Sequence, residues 1–188
     1  SYPFSELHEK VWEAMRRRGL KRPTPVQVLG IPKVLKGKNV LIMAPTGSGK
    51  TECALLPILH KLVVERGRGL LRQPTSPPWG IYVLYITPLR ALCSDLKERI
   101  EAYVRDVLGV FYHAEAWHSD IDDATKDTVR CYPPVVLVTT PESLEKILDT
   151  EKEVCHHLRN LRCVIVDEVH ELAESKRGHQ LLVLLERL

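Results

Sequence analysis

The run Ala44-Pro45-Thr46-Gly47-Ser48-Gly49-Lys50-Thr51 has the residue types and spacing to hold a nucleoside triphosphate. Glycines let backbone N–H groups close around phosphate oxygens, and a helix starting behind them adds partial positive charge. Lys50 would reach the β- and γ-phosphates, and the Thr51 hydroxyl would ligate Mg2+. Gly47, Gly49, Lys50 and Thr51 fit the phosphate-loop pattern, with Thr46 and Ser48 as its other backbone donors. Ala44 stands where the first glycine of that pattern would be. The competing reading is an ordinary turn. An apolar run at 40–43 before the loop and a helical run after it argue for the phosphate loop.

A second cluster follows the apolar run Val164-Ile165-Val166 and reads Asp167-Glu168-Val169-His170. In an open parallel sheet, ligands bind beyond the carboxyl ends of the strands. There, Asp167 would hold Mg2+ through water, and Glu168 would orient or deprotonate an attacking water. An Asp-Glu pair by itself is ordinarily a solvated surface pair. Its place after a hydrophobic strand, downstream of a phosphate loop, reverses that preference.

The elements that must position these residues alternate along the chain. Runs rich in Val, Ile and Leu predict strands at 40–44, 81–87, 110–117, 135–139 and 163–167. They show little alternation, as parallel strands buried on both faces do. Helical patterns fall at 5–18, 25–35, 50–66, 89–108 and 141–149, with another at 178–188. Such alternation predicts an α/β fold, a mostly parallel sheet flanked by helices. Pro57 lies inside the third helix and should kink it. Residues 67–80, with Pro74, Pro77 and Pro78, read as an exposed loop.

The 188 residues, 44% hydrophobic and 27% charged, suit one domain with a sizeable core. A net charge of +3 permits a nucleic-acid partner without arguing for one. No signal-like start is visible, and no apolar run approaches the roughly 20 residues of a membrane span. Five cysteines without a Cys-x-x-Cys pair read as reduced, partly buried thiols, which implies a cytoplasmic protein. Cys155-His156-His157 lacks a second cluster at ligand spacing and is set aside as a metal site.

Four further stretches carry a family resemblance. Pro23-Thr24-Pro25-Val26-Gln27 is similar to the Q motif, whose glutamine reads adenine. A glutamine amide can make paired hydrogen bonds to adenine N6 and N7. Thr87-Pro88-Leu89-Arg90-Ala91-Leu92 is similar to motif Ia, Thr139-Thr140-Pro141-Glu142-Ser143-Leu144 to motif Ib, and Asp167 to His170 to a DExH box. With the phosphate loop, the chain resembles the first RecA-like lobe of superfamily 2 helicases. Within that group it most resembles the large helicase-related (Lhr) family and its Ski-type relatives. Tyr85-Ile86-Thr87-Pro88-Leu89-Arg90, the Thr-Thr-Pro-Glu-Ser-Leu run and Ser175-Lys176-Arg177-Gly178 carry that finer resemblance.

The resemblance implies an ATP-dependent helicase that moves 3′ to 5′ on single-stranded DNA or RNA, or on a DNA/RNA duplex, with ATP and Mg2+ as cofactors. Lys50, Asp167, Glu168 and His170 would be catalytic, and Gln27 would join the loop in binding nucleotide. Thr87, Arg90, Thr140 and Ser143 would touch the nucleic-acid backbone, at strand ends where helix N-termini attract phosphate. For Arg90 a surface ion pair is the alternative; for Lys176 and Arg177 a solvated loop is. Where the family often carries Thr-Gly-Asp-Thr, this chain has His118-Ser119-Asp120-Ile121. Either Trp117 and His118 contact a base there, or Ser119 or Asp120 caps a helix while Trp117 lies in the core.

Residues 1–188 would then be the N-terminal RecA-like lobe, ending before the Ser-Ala-Thr strand and before the second lobe that completes the site. Alone, such a lobe should bind nucleotide weakly and hydrolyse almost none. A GTPase would carry an Asn-Lys-x-Asp guanine reader, which this sequence lacks. A non-catalytic, nucleotide-switched module that binds nucleic acid remains the alternative function.

Overall fold

The computed structural model describes residues 2–38, 40, 42, 44, 47–69, 80–168 and 186–188. They fall into two compact units, 1–73 with 102–111 and 74–101 with 112–188.

Among the described residues, the elements of the first unit are helices. A 3-10 turn, Phe4–Glu6, precedes α1 (Glu9–Arg17). The expected helix at 5–18 is therefore split, because Leu7 is extended and His8 caps α1 by accepting from the Lys10 N–H. The His8 N–H in turn donates to His60 Nδ1 at 2.9 Å. Helix α2 (Pro25–Leu35) starts where expected, with Pro25 in its first turn and Thr24 extended ahead of it. Helix α3 (Lys50–Gly67) runs on through Pro57 and buries most of its residues. Gly30 lets α2 lie close on α3, since a Cβ there would sit 2.3 Å from Cys53 Sγ. That thiol donates to Val26 O, and burial pushes its pKa up to about 11.

The second unit carries a four-stranded sheet, in the order β2-β3-β1-β4. Its strands are β1 (Val83–Ile86), β2 (Ala114–Trp117), β3 (Val136–Thr139) and β4 (Cys163–Val166). Every pairing is parallel: Val83 lies opposite both Val136 and Cys163, and Val136 opposite Ala114. Strands β1 and β3 are buried on both faces, which explains their unbroken apolar runs. Leu84, Ile86, Trp117, Leu137, Leu144 and Ile147 form the centre of the core.

Parallel strands need crossovers, and helices supply them. Helix α4 (Arg90–Leu108) follows β1, α5 (Asp123–Cys131) follows β2, and α6 (Pro141–Thr150) with α7 (Lys152–His157) follows β3. The strand expected from 110 begins only at Ala114. Gly109, at φ +107, ends α4, and Val110 and Phe111 are exposed in the turn behind it. Helix α5 escaped the sequence reading because Val129 is its one buried residue. Its cap is Asp122, which accepts from the Thr125 N–H, and neither Ser119 nor Asp120 caps it.

Of the strand expected at 40–44, alternate residues lie outside the described set, and no described strand includes 40, 42 or 44. The loop core at 70–79 and nearly all of the helix expected at 178–188 also lie outside it. Among the described residues, no helix is long and apolar enough to cross a membrane.

Candidate nucleotide and nucleic-acid sites

The phosphate loop belongs to the first unit. Gly47 and Gly49 stand at φ +82 and +83, a conformation that side chains other than glycine's rarely tolerate. Gly49 is also the N-cap of α3, so the loop delivers Lys50 and Thr51 into the first helical turn. Lys50 Nζ donates to Ala44 O at 3.2 Å, and Thr51 is buried. Ser48 Oγ is buried with no hydrogen-bond partner among the described residues. Thr46 lies outside the described residues.

Gln27 is 1% exposed and uses both ends of its amide. Its Oε1 accepts the Thr24 N–H at 3.0 Å, and its Nε2 donates to Gly49 O at 3.2 Å. The glutamine thus ties the cap of α2 to the glycine that opens α3. A Cβ on Gly49 would sit 2.5 Å from that Nε2.

The acidic pair belongs to the second unit. Asp167 leaves β4 with its N–H donating to Ile86 O, and it is 8% exposed. Its Oδ1 accepts the Glu168 N–H at 3.0 Å. Its Oδ2 accepts the Tyr85 hydroxyl, also at 3.0 Å, in a buried bond. Glu168 stands at φ +55, a left-handed conformation unusual for glutamate and of the kind that clusters at functional sites. His170 lies outside the described residues.

A groove of about 530 Å³ opens beside the ends of β1 and β3. Pro88, Leu89, Arg90, Ser119, Thr140, Glu142, Ser143 and Lys146 line it. Thr140 is the N-cap of α6: its Oγ1 accepts the Ser143 N–H and donates to Ser143 Oγ at 3.0 Å. Thr87 is fully buried behind the groove, its N–H on Thr139 O and its Oγ1 without a partner among the described residues. Arg90 forms the surface pair that was its alternative reading. Nε meets Asp120 Oδ2 at 3.1 Å, and Nη1 donates to Ser119 Oγ at 2.9 Å.

Trp117 takes the core position. It is 4% exposed in the core, with the Arg130 guanidinium 5.6 Å from its ring. His118 is buried too, its Nδ1 accepting the Asp120 N–H at 3.1 Å. Burial lowers the His118 pKa; the Asp120 carboxylate opposes that shift and Arg90 adds to it.

Cys155 and His157 serve packing, with Cys155 Sγ donating to Ile147 O and His157 Nε2 to Arg130 O. Tyr85 is the residue that sequence reasoning missed. The available signal was parity: Tyr85 lies opposite Ile165, two residues before Asp167, so both side chains share a face.

The donors of each unit suit a ligand chemistry of their own. Two left-handed glycines, a Ser48 hydroxyl without a partner among the described residues and a lysine that bonds a neutral carbonyl suit phosphate oxygens. A buried carboxylate, fixed at both oxygens, suits a hard cation or its water.

Comparison with known proteins agrees with this chemistry. A family model described as DEAD/DEAH box helicase matches residues 24–188. The ATP-dependent helicase Lhr-Core protein 2 of Thermococcus barophilus is 39% identical over 199 residues, spanning 100% of this chain and 22% of that protein. The Lhr helicase/uracil glycosylase of Escherichia coli is 33% identical over 183 residues, spanning 91% of this chain and 11% of that protein. The structure of Mycobacterium smegmatis helicase Lhr bound to ssDNA and AMP-PNP superposes with a TM-score of 0.81 at 31% identity, over 100% of this chain and 23% of that one. The chain spans about a fifth of the length of the Lhr-Core relatives it matches.

Proposed function

The chain belongs to the DEAD/DEAH box helicase family, with the RecA-like fold of its structural neighbours, and from that premise we propose that it is the ATP-binding lobe of a nucleic-acid motor. In this reading ATP hydrolysis drives a longer protein 3′ to 5′ along a single strand of DNA or RNA, with a second RecA-like lobe completing the site. The similarity to a helicase solved with ssDNA and AMP-PNP supports a strand and a triphosphate as ligands.

One observation carries the proposal. All four described strands of the second unit run parallel, so their carboxyl ends share one edge. The acidic pair follows β4 at that edge, and the residues lining the groove follow β1, β2 and β3. Ligand chemistry in open parallel sheets concentrates there.

The roles follow from the side chains. Lys50 exchanges the Ala44 carbonyl for phosphate oxygens, a stronger charge-assisted bond. Gly47, Ser48 and Gly49 offer backbone donors, as does Thr46. Thr51 and, through water, Asp167 hold Mg2+, which screens phosphate charge when bound. Glu168 orients or deprotonates the attacking water, with His170 as the DExH partner. Gln27 reads adenine by redirecting an amide that otherwise joins Thr24 to Gly49. Arg90, Thr140 and Ser143 hold the strand by its backbone, so binding is sequence-independent, while Thr87, buried at 0% exposure, supports them from behind instead of touching it.

The test is Glu168→Gln in the full-length protein. ATP binding should persist while strand-stimulated turnover falls by about 10² or more. Unchanged turnover would remove Glu168 as the base, and a preference for GTP over ATP would sink the adenine assignment.

A further inference from the structure

We propose that Tyr85 is a positioning residue for nucleotide hydrolysis, its buried phenol fixing the Asp167 carboxylate in the orientation that receives Mg2+. The inference rests on the nucleotide-hydrolysing role proposed above and adds a residue outside the phosphate loop, the acidic pair and the groove.

The argument begins with register. Strands β1 and β4 pair in parallel with Tyr85 opposite Ile165. Side chains alternate along a strand, so Asp167, two residues on, projects to the same face as Tyr85. The long phenol spans that offset, and its hydroxyl reaches Asp167 Oδ2 at 3.0 Å. Tyr85 is 1% exposed, so its hydroxyl is committed inside the protein.

The second donor is local. The Glu168 N–H holds Oδ1 at 3.0 Å, and the left-handed turn at Glu168 accompanies it. One donor on each oxygen fixes the plane of the carboxylate. A carboxylate has about four lone-pair sites, twice the number that these two bonds use. The donors come from different elements, one from the next residue and one from a strand 82 positions away in sequence.

Packing alone does not call for this hydroxyl. Phenylalanine would fill the same buried volume in β1 without bringing a polar group into the core. The hydroxyl earns a place only through an acceptor, and Asp167 supplies one.

The experiment uses the full-length protein, wild type and Tyr85→Phe. A fluorescent ATP analogue is titrated in EDTA and again with increasing Mg2+. Metal-free affinity should agree within about twofold, because the phosphate loop is untouched. The Mg2+ concentration at half-effect should rise about tenfold, the size expected for a lost hydrogen bond to a charged group. Mn2+ binding followed by electron paramagnetic resonance should weaken in parallel. In an Asp167→Asn background, Tyr85→Phe should add nothing, since the phenol acts through that carboxylate.

Wild-type Mg2+ dependence in Tyr85→Phe, at whatever melting temperature, would overturn the proposal. So would an equal shift in the Asp167→Asn background. Absence of any Mg2+ effect on nucleotide binding by the wild type is a different result; it would overturn the functional reading itself and this inference with it.

Discussion

Replacing Asp120 by asparagine should tighten binding to a single strand, because it releases Arg90. The guanidinium meets Asp120 Oδ2 at 3.1 Å and Ser119 Oγ at 2.9 Å, at the edge of the groove. A phosphate must take the guanidinium from that carboxylate or share it. The side chains are 56% and 63% exposed, so solvent screens the pair and it is worth only about 0.2–1 kcal/mol. Removing the competition should therefore raise affinity by about 1.5- to 5-fold at low salt. Asparagine keeps the shape, and the Asp120 N–H can still donate to His118 Nδ1.

The assay is fluorescence anisotropy on a labelled oligonucleotide across a salt series. The gain should shrink as salt rises, since screening weakens the original pair as well. Arg90→Ala gives the complementary readout. If Arg90 neutralises one phosphate, the slope of log affinity against log salt should become shallower by about 0.7. An unchanged or weaker affinity in Asp120→Asn, together with an unchanged slope in Arg90→Ala, would refute the competition. Arg90 would then be a surface ion pair and nothing more.

Two further outcomes follow from particular contacts. Gly49→Ala places a Cβ at φ +83 and 2.5 Å from Gln27 Nε2, so it strains the backbone by about 1–2 kcal/mol and displaces the Gln27 bond. Nucleotide affinity should fall more than tenfold by calorimetry, and a change within twofold would contradict the role given to that glycine. The second concerns His118, whose folded pKa is lowered mainly by burial. A lowered histidine means that the unfolded chain binds the proton first, so stability should fall as pH drops below the usual value of about 6.5. Denaturant midpoints between pH 8 and 5 should show this slope, and His118→Asn should flatten it.

Much of this architecture was legible because single residues announce it. Pro25 and Pro141 begin helices at the positions where proline is tolerated, and the apolar runs of β1 and β3 mark strands buried on both faces. The phosphate loop and the acidic pair are local, so their order along the chain is their signature. Helix α5 left no such mark. It presents one buried valine in nine residues, and a period cannot be read from one point. Val110 and Phe111 misled in the opposite direction: they look like a strand, but Gly109 puts them in an exposed turn.

The connections between motifs were hidden for a different reason. Tyr85 and Asp167 are 82 residues apart, and Arg90 and Asp120 are 30 apart. Neither contact follows from local spacing; each needs the strand order. Once β1 lies beside β4, the period of two in each strand decides which side chains share a face. Tyr85 and Thr87 then share one by the same rule, the first bonded to the acid and the second buried behind the groove. Of the motif residues in this stretch, Arg90 lines the groove, whereas Thr87 is fully buried. Tyr85 carries resemblance without an assigned ligand contact, and its hydroxyl is the polar side-chain group that β1 brings to Asp167. Motif boundaries follow ligand contact, whereas the geometry of a carboxylate depends on what stands behind it.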